Sequence, residues 1–168
     1  KAAEVHLRFV SQLYQDQIDG GRYFRQGHPR WATSWSLRCT GKISLQPGVA
    51  TFHGDQCQYE AETQFSDSVS ENGSPILKPT GFMTSSWAMF EELNKPCRGG
   101  HVHVPLMGGS ASACQEYPPP LCNAICRGVI KQKALDQEGH TMAGSCSPRQ
   151  LYALMSKIID EPTMKKIK

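Results

Sequence analysis

The apolar residues of this chain come in short runs, none longer than a few residues, and the runs alternate between helical and strand-like spacing. That pattern excludes a membrane-spanning helix, which needs about 20 consecutive apolar residues. It favours helices layered on a sheet. Between Glu4 and Ile18, the residues Val5, Phe9, Val10, Leu13, Tyr14 and Ile18 form a helix stripe, which Gly20 and Gly21 end.

The segment Arg22-Tyr23-Phe24-Arg25 reads as a short strand, turned by Gly27-His28-Pro29. Thr33 or Ser34 is expected to cap a brief helix through Leu37, with Trp31 and Trp35 on one face. Val49 to His53 reads as a buried strand, and residues 62–74 as a polar, exposed loop. Ile76 to Thr84 is extended again, and Pro79 points to an edge or bulged strand. Ser85 or Ser86 caps a helix carrying Trp87, Met89, Phe90 and Leu93. A strand is expected from His101 to Val104, and a helix from Leu121 to Lys133 with Leu121, Ile125 and Val129 on its stripe. A last helix, Arg149 to Ile159, presents Leu151, Leu154, Met155 and Ile158.

A chain of 168 residues can bury one sizeable core but not two. The expected organisation is a single α/β domain over residues 1–160, a short mixed or parallel sheet flanked by helices, followed by a basic, flexible tail over residues 161–168. The 15 glycines and 11 prolines agree with many turns without a disordered composition. A net charge of +3 is modest for a nucleic-acid binder, and the one local cluster of lysines is the tail, Lys157, Lys165, Lys166 and Lys168.

Lys1-Ala2-Ala3-Glu4 opens without a Met or an apolar signal core, as in a fragment or processed product and unlike a secretory precursor. The seven cysteines are odd in number and form no close Cys-x-x-Cys pair, which argues against a disulfide framework. Buried thiols in a reducing, intracellular compartment, nuclear or cytoplasmic, are the expectation. The Asn72-Gly73-Ser74 sequon carries no weight there.

The densest chemistry lies in Cys97-Arg98-Gly99-Gly100-His101-Val102-His103. On an extended segment His101 and His103 project to one side, and Cys97 can fold back over the Gly-Gly turn to join them. Cys57, or else His53 or Cys122, can supply a fourth ligand. Thiolate and imidazole together suit zinc, and four protein ligands make a closed, structural site. The competing reading is a small buried Cys97 beside two histidines in ordinary hydrogen bonds.

Other constellations are weaker. Gly108-Gly109-Ser110-Ala111-Ser112 can form an anion-binding turn, but it lacks a P-loop lysine and a dinucleotide fingerprint, so a plain turn is favoured. No Gly-x-Ser-x-Gly elbow accompanies the scattered Ser, His and Asp residues. Trp31, Trp35, Tyr59 and Phe82 offer base-stacking faces, though aromatics in such a chain are usually core.

Several segments stand in a definite order: Tyr23 to Pro29 with Ala32 to Trp35, Pro47-Gly48-Val49, Gly54-Asp55-Gln56-Cys57-Gln58-Tyr59, Lys78 to Thr84, Cys97 to His103, Pro105 to Gly109, and Tyr117 to Gly128. From about Phe9 to Val129, this order resembles a domain of copia-like retrotransposon polyproteins of dinoflagellates and other protists. That domain is in turn distantly similar to the C-terminal half of cytosine-5 DNA methyltransferases, which implies a truncated, methyltransferase-like Rossmann-type architecture. Gly27-His28-Pro29 then stands where the retroelement relatives have Glu-His-Pro, and Lys78-Pro79-Thr80 at a segment facing the same pocket. Glu60 replaces the glycine that usually follows Cys-x-Tyr.

The reaction of such enzymes needs a thiolate nucleophile, an acid and a bound methyl donor. In that family the methyl-donor loop and the Pro-Cys nucleophile lie before the region of resemblance, and nothing in residues 1–22 resembles either, so the chain is not expected to bind S-adenosylmethionine alone or to be catalytic. The resemblance implies instead a non-catalytic accessory domain that handles nucleic acid within a polyprotein, with Lys78, Arg98, Lys165 and Lys166 on phosphate. The alternative is a zinc-stabilised structural or protein-interaction subunit of an assembly, held by Cys57, Cys97, His101 and His103. A third possibility is one part of a split or degenerate methyltransferase.

Overall fold

A computed structural model describes residues 2–62, 73–104 and 116–137. Helix α1 (Ala2–Asp19) ends where expected. Gly21 takes a left-handed φ of 64°, and the Gly20 and Arg22 N–H groups donate to the carbonyls of Asp16 and Gln17 at 3.1 and 2.8 Å. Its apolar stripe divides. Tyr14 and Ile18 pack inward, whereas Val5, Phe9 and Leu13 stay exposed.

Three strands follow: β1 (Arg25–Pro29), β2 (Ala50–Asp55) and β3 (Pro79–Thr84). They pair in the order β1-β3-β2, and both pairings are antiparallel. The sheet of the described residues is thus antiparallel, not the mixed or parallel sheet expected. The α/β class itself holds. Strand β3 takes the middle place in the sheet: Phe82 and Met83 point to opposite faces and are both 0% exposed. A strand that buries both faces belongs in the middle of the sheet, flanked on each edge. Pro79, expected to mark an edge, is tolerated because it is the first residue of the strand.

The first strand also lies later than expected. Phe24 stacks on Tyr14 with ring centroids 4.4 Å apart, and pairing with β3 begins at Arg25 opposite Thr84. Gly27, His28 and Pro29 continue the ladder. The turn falls after them, where Ala32 N–H donates to Pro29 O at 3.0 Å. The next turn is a 3-10 segment, Thr33–Ser36, preceded by Ala32 and without a side-chain cap. Trp31 and Trp35 share no face: Trp31 is 75% exposed, while the Trp35 ring lies over Gly81 and its Nε1–H donates to Pro29 O at 2.9 Å.

Helices α2 (Arg38–Ser44), α3 (Trp87–Leu93) and α4 (Pro119–Gln137) complete the described elements. One side of the sheet buries Met83 with Phe24, Ile43, Tyr14, Ile18, Trp35 and Val49. The other buries Phe82 with Tyr59, Met89, Leu93, Leu121 and Ala124. Each fully buried large side chain contributes about 1.5–3 kcal/mol, so two thin cores share one sheet. Helix α4 buries Leu121, Ala124, Gly128 and Gln132 and leaves Val129 exposed, a rotation of the expected stripe. A Cβ on Gly128 would lie 3.0 Å from Met89 Sδ. The close crossing on α3 at this glycine selects the buried face.

The expected strand at His101–Val104 reduces to a single bridge between Val104 and Ile76. Among the described residues no helix is long and apolar enough to cross a membrane. Most of the polar loop, the glycine turn at 108–112, the helix at 149–159 and the basic tail lie outside the described residues.

Candidate metal centre

At one end of the sheet, two separate pieces of chain meet. Cys57 lies in a 3-10 turn, Gln56–Tyr59, directly after β2. That turn is anchored from both sides: Tyr59 is buried in the core, with its hydroxyl donating to Glu92 O at 2.9 Å, and the buried Gln56 amide donates to Thr80 Oγ1 at 3.0 Å. Glu60 ends it in a left-handed conformation, φ 58°, at the position where the resemblance calls for glycine.

Cys97 reaches the same place from the segment after α3. Asp55, the last residue of β2, donates its N–H to Lys95 O at 3.0 Å and accepts from Cys97 N–H on Oδ2 at 2.7 Å. Gly99 and Gly100 take φ of 79° and 88°, the left-handed region that favours glycine. The turn brings Gly99 N–H to 3.4 Å from Cys97 Sγ and returns the chain so that both histidines face the sulfur. His101 Nε2 and His103 Nε2 are each 3.6 Å from Cys97 Sγ and 2.9 Å from each other.

The four donor atoms of Cys57, Cys97, His101 and His103 all lie within 4.8 Å of one another. A tetrahedral zinc ion with Zn–S of about 2.3 Å and Zn–N of about 2.0–2.1 Å sets sulfur–nitrogen edges of about 3.6 Å and a nitrogen–nitrogen edge of about 3.3 Å. The two sulfur–nitrogen distances match these edges and the nitrogen–nitrogen distance is shorter, and the four donors can hold a metal ion. The four residues are those that the sequence pattern nominates, although an irregular loop, not a strand, presents the histidines. Neither alternative fourth ligand, His53 nor Cys122, belongs to the cluster.

Burial pushes the Cys57 thiol up to about 11. A hydrogen bond from Gln58 opposes the shift, while the neighbouring Cys97 and Asp55 reinforce it. A cation here displaces that proton, so binding strengthens as pH rises. His53 on β2 shifts the other way, lowered first by burial and then by Arg30, against a smaller upward pull from Asp55.

The remaining site expectations fare differently. Arg98 is exposed beside Cys97, and Lys78 is half-buried, its carbonyl accepting from Gln56 N–H at 3.3 Å. Lys165 and Lys166 lie outside the described residues. A Cβ on Gly27 would fall 2.6 Å from the Tyr117 hydroxyl and 2.8 Å from an Arg25 guanidinium nitrogen, so neighbouring side chains already occupy that space. Ser34 Oγ and His28 Nδ1 are 3.2 Å apart, but Ser34 is buried, which withholds its hydroxyl from a substrate. Asp55 is a residue that sequence reasoning missed. Its place one residue before Gln56-Cys57, at a strand end, was the available signal.

Comparison of the chain with protein-family models, with curated protein sequences and with solved structures gives no match in any of the three.

Proposed function

We propose that this chain is a zinc-stabilised structural module, in which Cys57, Cys97, His101 and His103 form a closed tetrahedral centre. The observation that carries the proposal is the convergence of two thiols and two imidazoles at zinc-like spacing. Borderline-soft donors of this kind favour zinc over hard cations. With four protein ligands there is no open position for a substrate or a reactive water, so the centre serves the fold. It fastens the segment after α3 onto the turn after β2.

In this proposal the module is a non-catalytic part of a larger polyprotein or assembly, the setting implied by the retroelement resemblance. Gly27 supplies no carboxylate at the position where the retroelement relatives have Glu, which weighs against a part-methyltransferase.

Metal analysis of the purified chain tests the proposal. One zinc per chain is expected, lost in Cys97→Ser and Cys57→Ser with a fall in thermal stability, because binding free energy at such a site is folding free energy. A folded wild-type chain that neither carries zinc nor gains stability from it overturns the proposal.

A further inference from the structure

The sheet end that carries the metal centre also presents a flat aromatic and several cations. Trp31 is 75% exposed, and the Arg30 guanidinium lies over its ring, 5.5 Å from the centroid. An indole stripped of cover is unusual in a domain with thin cores, since burying it would add substantially to stability. Arg30 is fixed by its N–H on Pro79 O at 3.0 Å, so the Arg30-Trp31 pair stands beside the start of β3. Two strand spacings across, about 10 Å, the end of β2 holds Lys95 and Cys97 through Asp55. Lys95 extends over the Tyr59 ring at 5.4 Å, and Arg98 follows the metal ligand Cys97. Arg30, Lys95 and Arg98 are all exposed. Asp55 is buried with one oxygen committed to Cys97. Glu60 and Glu62 are the exposed carboxylates of the turn that follows.

We propose that this end of the sheet is a binding surface for single-stranded nucleic acid, with Trp31 stacking on an unpaired base and Arg30, Lys95 and Arg98 contacting phosphates. An exposed ring flanked by cations suits a single strand because every base offers a face to stack on, and the charges follow the backbone. A duplex hides its bases, and an acidic peptide has no use for the indole. The proposal goes beyond the zinc module. The metal would hold the loop bearing Arg98, whereas Arg30 and Trp31 are placed by the β1–β3 ladder.

The test is fluorescence anisotropy of labelled oligothymidine and oligouridine of about twelve nucleotides with the full chain, its zinc content measured on the same sample. Affinity is expected to fall with salt at a logarithmic slope of about −2 for three phosphate contacts. Trp31→Ala should weaken binding about tenfold, Arg98→Gln should flatten the slope by about 0.7, and Glu60→Gln should strengthen binding. The tail lysines remain in every variant, so a loss in Trp31→Ala is not theirs. No binding at low salt, equal affinity for Trp31→Ala and the wild type, or equal competition by polyglutamate overturns the proposal, the last in favour of an acidic-peptide site. Binding that depends on Trp31 in a zinc-free, folded chain would leave the surface standing and remove only the metal centre.

Discussion

Asp55 shows how much of a site can rest on a residue that does not touch the ligand. One carboxylate oxygen accepts the Cys97 N–H at 2.7 Å, which sets where the sulfur stands relative to the two imidazoles. Partners of this kind that orient metal ligands typically matter about 10–100-fold in affinity. Asp55→Ala is therefore expected to weaken zinc about tenfold or more in competition with a chromophoric chelator. It should also lose about 1–3 kcal/mol in denaturant unfolding, because the Cys97 N–H is left unpaired. Asp55→Asn keeps an acceptor oxygen and should recover most of both. Gly54, its neighbour, is constrained by space: a Cβ there would meet Leu93 O at 2.5 Å, a backbone atom that cannot swing aside. Gly54→Ala should cost about 1–3 kcal/mol, read as a lower denaturant midpoint. Trp31→Ala, at an exposed position, should leave that midpoint within about 0.5 kcal/mol of wild type.

Among the elements, α3 is short and depends on its start. Ser86 Oγ accepts from Met89 N–H at 3.2 Å and donates to Gln132 Oε1 at 2.7 Å, so one hydroxyl caps α3 and ties it to α4. Gln132 Oε1 also lies 3.4 Å from Ala88 N–H, and its amide donates to Asp136 Oδ1 at 3.1 Å. Ser86→Ala removes the cap and should cost about 1–2 kcal/mol in equilibrium unfolding. This cap was legible in the sequence because a serine before an apolar helical stripe acts locally. The clustering of the candidate ligands was legible for a similar reason: Cys97, His101 and His103 fall within one short run, and donor chemistry alone nominated Cys57. What could not be read were properties set by distant partners. The burial of both Phe82 and Met83 placed β3 at the centre of the sheet, and the approach of Met89 to Gly128 turned α4. The role of Asp55 depends on a backbone N–H far along the chain.

For the molecule as a whole, helices α3 and α4 share the core on one side of the sheet, and a buried carboxylate ties the two helices together. Glu92 is only 7% exposed and faces Arg127, at 3.0 Å, and Lys131. Burial alone would raise its carboxyl, but the hydrogen bonds and charges of Lys131 and Arg127 outweigh that effect and hold it below the usual 4.5. A carboxylate depressed in the folded state stabilises the fold above its unfolded value, and that contribution is lost as pH falls through the folded one. Stability carried by Glu92 is thus complete at neutral pH, begins to fade near 4.5 and is gone once the folded group protonates. Glu92→Gln should lower stability at pH 7 and flatten the acid limb of the stability profile below about pH 4.5, measured by denaturant titration at a series of pH values. Under the proposed function zinc release would respond to acid as well, since imidazole and thiolate ligands take up protons. Repeating the series with saturating chelator in both wild type and Glu92→Gln separates the two: the metal contribution drops out of each curve, and the acid limb that still differs between them belongs to Glu92. An acid limb identical in the two chelated proteins would show that the Glu92 ion pairs do not couple α3 to α4 in the stability of the fold.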